Sequence, residues 1–224
     1  MSSTEGQDSN DSLESNDLDP NIVRMYKKDD AGAWTFREAW IDAGMPQEDD
    51  AEAAPAESAE IFFVVNHGAV GHQSTSKDVR AASLEEARGM LEAFAEQCAV
   101  DGYAVLSREE QFTVVAQIAL KSDRITDRDK TLGASAKAAL TAHLAWRGSG
   151  LVEKIEFTKG PHSTGKLNVY ILAPDPARAV ANIKVCIREE KLDFTKLSVA
   201  VAPADQLDEL RAKHSTSGST VFSL

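Results

Sequence analysis

The hydrophobic period changes along the second half of this chain in a fixed order, and that order limits the fold more than any other feature. Residues 111–120 (QFTVVAQIAL) carry Phe, Thr and paired Val, which favours a strand, although Ser107 and Glu110 upstream spell a helix-opening capping box. Strand is the reading we take. An alanine-rich helix follows over about 127–146, with Leu132, Ala136, Leu140 and Leu144 as its apolar stripe. Residues 151–157 (LVEKIEF) and 166–173 (KLNVYILA) predict two strands, joined by a turn from Lys159 to Gly165. Asp175-Pro176 opens a second helix, with an acid at the N-cap and proline at the first helical position, and it runs to about Glu190. Residues 196–202 (KLSVAVA) predict the last full strand. The order β-α-β-β-α-β is that of the split, ferredoxin-like unit. A short helix near 204–213, a Ser/Thr/Gly loop at 215–220 and the apolar tag Val221-Phe222-Ser223-Leu224 are added to it.

The first half reads as a separate unit. Residues 22–28 (IVRMYKK) and 34–42 (WTFREAWID) predict two strands around a turn at Asp29–Gly32. Trp34, Phe36, Glu38 and Trp40 share one face of the second strand, so the three aromatic rings are expected to pack together. Residues 61–65 (IFFVV) predict a buried strand, His67-Gly68-Ala69-Val70-Gly71 a turn, and 73–80 a polar edge strand. Ser83-Leu84-Glu85-Glu86 is a capping box, and the helix it opens over 84–99 carries Leu84, Ala87, Leu91, Phe94, Ala95 and Cys98 on one face. Asp101-Gly102 ends that helix.

Charge is segregated. The 224 residues carry a formal net charge of -12. Residues 1–20 hold six acids and no Lys or Arg, and residues 47–60 hold six more, again with no base. The rest of the chain has 24 acids and 24 bases, so a neutral folded body is expected beside two acidic solvated segments. The first is read as a disordered tail and 45–60 as an acidic insertion loop. No run of 18 apolar residues is present, and the N-terminal stretch has neither the basic start nor the apolar core of a secretory signal. Cys98 and Cys186 lie far apart inside apolar patterns and read as reduced core thiols of a cytoplasmic protein.

Residues 22–105 resemble the WGR domain family. The resemblance rests on the strand ending in His67-Gly68-Ala69-Val70-Gly71, the polar strand from Gln73, the helix opened by Ser83-Leu84-Glu85-Glu86-Ala87, and Asp101-Gly102-Tyr103. Trp34 to Trp40 fit the aromatic-rich first core strand of that family. His67 stands where the family name has Trp and Ala69 where it has Arg, while Gly68, Val70 and Gly71 are kept. The resemblance implies DNA contact through this region, and the two replacements remove a stacking ring and a five-donor fork. Candidate contacts are Arg24, Lys27, Lys28, Arg37, His67, Gly68, Lys77 and Arg80.

Other motifs carry less. Gly160-Pro-His-Ser-Thr-Gly165-Lys166 fits most of a phosphate-binding loop, but Leu167 replaces the Mg²⁺-holding hydroxyl and a strand follows where a helix is needed. His67 and His72 have no ligand partners at metal spacing, His143 lies beside an apolar stripe as a satisfied interior histidine, and His162 has no acid placed to complete a triad. Asp123, Asp127 and Asp129 interleave with Arg124, Arg128 and Lys130 as capping and surface pairs. Phe112 and Tyr170 are the aromatics offered for RNA stacking on the two central strands.

The expectation is an α+β chain. It has a tail (1–20), a WGR-like antiparallel sheet with one helix (21–106), and a ferredoxin-like domain (107–224). The expected function is non-enzymatic binding, weakly of DNA through the first domain or, alternatively, of a protein partner as an interaction or partner-neutralising, immunity-like module, with no cofactor, metal, membrane or identified small-molecule substrate.

Overall fold

The computed structural model describes residues 21–44, 60–159, 164–216, 218 and 220–224. The tail 1–20, most of the acidic insertion (45–59) and Gly160 to Ser163 of the phosphate-loop look-alike lie outside the described residues. The chain is mixed α and β, with two antiparallel sheets and three helices among the described residues. No described helix is long and apolar enough to cross a membrane.

The first sheet is a meander of four strands, β1 (Ile22–Lys28), β2 (Trp34–Asp42), β3 (Ile61–Ala69) and β4 (Thr75–Ala81). Helix α1 (Leu84–Val100) covers one face. Ser83 caps it, its side chain accepting from the Glu86 amide at 3.1 Å, while the Glu86 carboxylate reaches past the cap to the Ala82 amide. Ala39, Phe63 and Leu91 form the core beneath α1, joined by Val65, Met90 and Phe94. β3 is longer than its sequence suggested. His67, Gly68 and Ala69 still pair with β2, and the turn falls at Val70–His72, because register with Thr35, Phe36 and Arg37 continues the ladder.

The second sheet has the order β6-β7-β5-β8-β9. Its strands are β5 (Phe112–Ala119), β6 (Leu151–Lys159), β7 (Gly165–Ala173), β8 (Leu197–Pro203) and β9 (Arg211–Ser215). Helices α2 (Asp127–Ala145) and α3 (Pro176–Glu189) cover one face. The largest core of the described residues lies between, built on Val114, Ala116, Ile118, Leu140, Leu144, Ile171 and Ile183. Both signals near residue 110 are used. Ser107 and Glu110 cap a single 3₁₀ turn, Arg108–Glu110, and β5 begins directly after it. The short helix expected near 204–213 is instead one 3₁₀ turn, Leu207–Glu209, followed by β9, which satisfies the otherwise open edge of β8.

The two sheets meet at one end. The Val70–His72 turn sits on the α2–β6 connection, where the Gly71 amide donates to the Arg147 carbonyl at 2.9 Å. Phe36, fully buried, lies against Gly148. Trp34, Tyr26, Val70 and Leu106 complete this cluster. Trp40 is not part of it, because it lies two sheet rows away from Phe36 on β2.

Both interior histidines carry a pH prediction. His143 and His214 each have a buried Nε2 without a hydrogen-bond partner among the described residues, so His143 is interior but only partly satisfied. Burial, and then Arg147, holds the His143 imidazole below its ordinary pKa, against Glu189 and Glu190; burial, Lys184 and Arg188 do the same to His214. The unfolded chain therefore takes up these protons first, and stability rises with pH across that interval. The contribution is complete above the ordinary histidine value of about 6.5 and is lost as pH falls below it. The urea midpoint is expected to drop between about pH 7.5 and pH 5.5, and to drop less in the variant His143→Gln, His214→Gln. An equal drop in the two proteins would contradict this.

Candidate interaction surface

Alternation along the strands divides the first sheet into two faces, and the divide runs through the expected nucleic-acid contacts. Lys27, Arg37, His67 and Lys77 project to the α1 face, whereas Arg24, Lys28, Gly68 and Arg80 belong to the helix-free face. The structure does not bring the eight into one patch. It also occupies most of them. Arg37 pairs with Asp101 at the C-terminal end of α1 and lies 4.4 Å over the Tyr103 ring. Lys27 donates to the Asp101 carbonyl at 2.8 Å. The Arg37 hydrogen bond, and then that from Gln97, holds the Asp101 carboxyl below its ordinary value. Lys28 lies over the Trp34 ring at 5.2 Å, and Arg80 pairs with Glu60 at 3.0 Å. His67 and Lys77 are exposed. Gly68 packs under Ser74 and the Phe36 ring, so its glycine character serves a close approach inside the fold.

Arg24 is the clearest departure from expectation. It pairs across the sheet with Glu38, donating through Nε at 2.8 Å and through Nη2 to the same oxygen. Both side chains are less than a tenth exposed. Asn66, the next residue across on β3, is 1% exposed. Arg24 Nη1 and Asn66 Oδ1 have no hydrogen-bond partner among the described residues. This row separates two differently used parts of the helix-free face. On one side, Tyr26, Phe36 and Gly68 form a row whose Phe36 ring packs against Gly148 of the α2–β6 connection. On the other, Ile22, Trp40 and Val64 form the next row, with Phe62 beyond them. Ile22 is 40% exposed and the other three are partly exposed. The rim is acidic, with Asp42 beside Phe62, Asp78 beside Val64, and Glu60 paired with Arg80.

The helix-free face of the second sheet is filled rather than open. Phe112 packs with the helical core and Tyr170 points to the opposite face, so the two aromatics offered for RNA stacking do not share a surface. Tyr170 is 4% exposed and donates to Glu156 at 2.9 Å; burial, and then this bond, pushes its pKa up to about 12. Gln117 donates to Asn168 at 2.8 Å and to the Ser223 carbonyl at 2.9 Å. Lys166 donates to the Ser223 hydroxyl at 2.8 Å. The lysine of the phosphate-loop look-alike thus anchors the segment Val221–Leu224. Cys98 and Cys186 are free and buried, and burial pushes the Cys186 thiol up to about 11, which leaves it un-ionised at neutral pH.

The patch at Ile22, Trp40, Phe62 and Val64 was only partly visible in the sequence. The aromatic alternation of β2 marked Trp40, but the row partners come from β1 and β3, and only the register joins them. Comparison with protein-family models, with curated proteins and with solved structures finds no match to this chain.

Proposed function

We propose that this chain is a non-enzymatic binding protein that takes a basic protein surface on the helix-free face of its first sheet. The observation that carries the reading is the patch itself: four apolar side chains, one of them Trp, are presented together and rimmed by Asp42, Glu60 and Asp78 against a single Arg80. In sequence, five further acids fall within residues 45–59, between Gly44 and Glu60. A WGR-like first unit and a ferredoxin-like second unit are consistent with the strand orders, and the glycine turn of the WGR resemblance is used here to seat one sheet on the other. The division of the eight candidate contacts between two faces, and the pairing of Arg24, Arg37 and Arg80 with Glu38, Asp101 and Glu60, favours a protein partner over DNA.

The test uses two probes on one protein, a fluorescein-labelled amphipathic Leu/Lys peptide and a short DNA duplex. Saturable peptide binding is expected, weakened tenfold or more in Trp40→Ser, Phe62→Ser, since a central aromatic anchor contributes about 2 kcal/mol or more. These substitutions leave net charge unchanged, so a purely electrostatic association would not respond to them. No duplex binding is expected at about 50 mM salt. Saturable duplex binding, lost in His67→Ala, Lys77→Ala, would replace this reading with the nucleic-acid one.

A further inference from the structure

We propose that a second site, on the second sheet, binds a small phosphate monoester with an apolar body. The cavity lies where β5 ends and α2 begins, and its volume is about 470 Å³, within the range of small-molecule sites. Ile118, Leu120, Leu132 and Leu192 supply its apolar lining. Lys121, Arg128, Lys191 and Lys196 bring four cations to the same walls, in a protein whose net charge is -12.

The two lining carboxylates are held by hydrogen bonds within their own turns. Asp129 accepts from the Thr126 amide at 2.9 Å and its hydroxyl at 2.6 Å, closing the cap of α2. Asp193 accepts from the Thr195 amide at 3.2 Å and from its hydroxyl. Among the described residues only Lys196 of the four cations forms an ion pair, with Asp193 at 3.9 Å. Arg128 also lies in the field of Asp129 and Lys121 in that of Asp193, at more than ion-pair distance. Four cations against two carboxylates leave a net charge of +2 on these walls, which matches the nearly doubly charged phosphate monoester better than a single carboxylate.

Lys191 reaches the cavity wall from an unusual backbone position. α3 ends in a turn where the Leu192 amide donates to the Ile187 carbonyl at 3.0 Å and the Lys191 amide to Arg188 at 3.1 Å. The first position past the helix cap in such a turn is left-handed, and glycine is at ease there. Lys191 occupies it with φ 55°, and every other described residue with positive φ is glycine. A side chain in this conformation is strained, and this one lines the cavity without an ion-pair partner among the described residues.

Phenyl phosphate is the probe, followed by amide chemical shifts, with benzyl alcohol as the uncharged control. Saturable shifts are expected at Leu120, Ser122, Thr126 and Leu192. Lys191→Gly is expected to weaken binding about fivefold, the factor for one charge about 4 Å from the phosphate at the dielectric of water, while leaving the urea midpoint unchanged or higher. Lys121→Gln, Arg128→Gln is expected to weaken it by more than tenfold. The proposal is overturned if shifts do not saturate by about 10 mM, if Lys191→Gly binds as the parent does, or if benzyl alcohol binds equally well. This site shares no residue with the first-sheet patch, so either can fail alone.

Discussion

Replacing Glu38 by alanine is expected to cost about 3–5 kcal/mol of stability, because it leaves the Arg24 guanidinium buried without a counter-charge. Arg24 already has one nitrogen, Nη1, without a partner among the described residues, so Glu38 supplies most of the compensation it receives. Burial alone would lower the Arg24 pKa; Tyr26 and Glu38 beside it more than offset that, and the net direction is upward. The guanidinium therefore stays charged and cannot relieve the loss by giving up its proton. The paired replacement Arg24→Met, Glu38→Leu is expected to recover most of the loss, since removing both charges removes both desolvation penalties. Urea unfolding of the three proteins checks this. A single variant Glu38→Ala within about 1 kcal/mol of the parent would show that the pair is solvated in solution.

Gly148→Ala carries the next largest expected effect. Gly148 has φ 55°, and a Cβ there would sit 2.2 Å from Cδ1 of Phe36, whose side chain is fully buried. Steric overlap in a packed core costs about 1–3 kcal/mol and the left-handed backbone about 1–2 more. The total, roughly 2–5 kcal/mol, corresponds to a melting temperature lower by about 5–15 °C for a chain of this size. The contact joins the two sheets, so scanning calorimetry is also expected to show one transition in the parent and two in the variant. Gly148→Ala, Phe36→Leu should regain part of the loss, because the shortened side chain vacates the ring position. An unchanged melting profile for Gly148→Ala would contradict the described contact between the sheets.

Much of the fold is legible from local chemistry. The Asp175-Pro176 cap, the Ser83 cap and the alternation of β2 each act within a few residues, and each element formed where its signal stood. The competing signals at 107–120 were both real, because a capping box can close a single turn as well as a helix. β9 was missed because Arg211–Ser215 alternates only weakly and gains its strand geometry from the edge of β8. The site residues were less legible. Arg24 and Lys27 look alike in sequence, yet one faces Glu38 in a closed row and the other the end of α1, 74 residues on. Which cation is spent depends on partners that only cross-strand register and helix placement bring near. The cavity at Lys121 and Lys191 draws on segments about 70 residues apart, so no window along the chain could contain it.

The most direct test of the proposed binding face is an amide chemical-shift map of the isotope-labelled chain titrated with the Leu/Lys peptide. Saturable shifts are expected at Ile22, Phe62, Val64 and Asp78 and at the Trp40 indole, with Lys27, Arg37, His67 and Lys77 unaffected. Shifts centred on those four residues, with the Trp40 indole unmoved, would contradict this binding face.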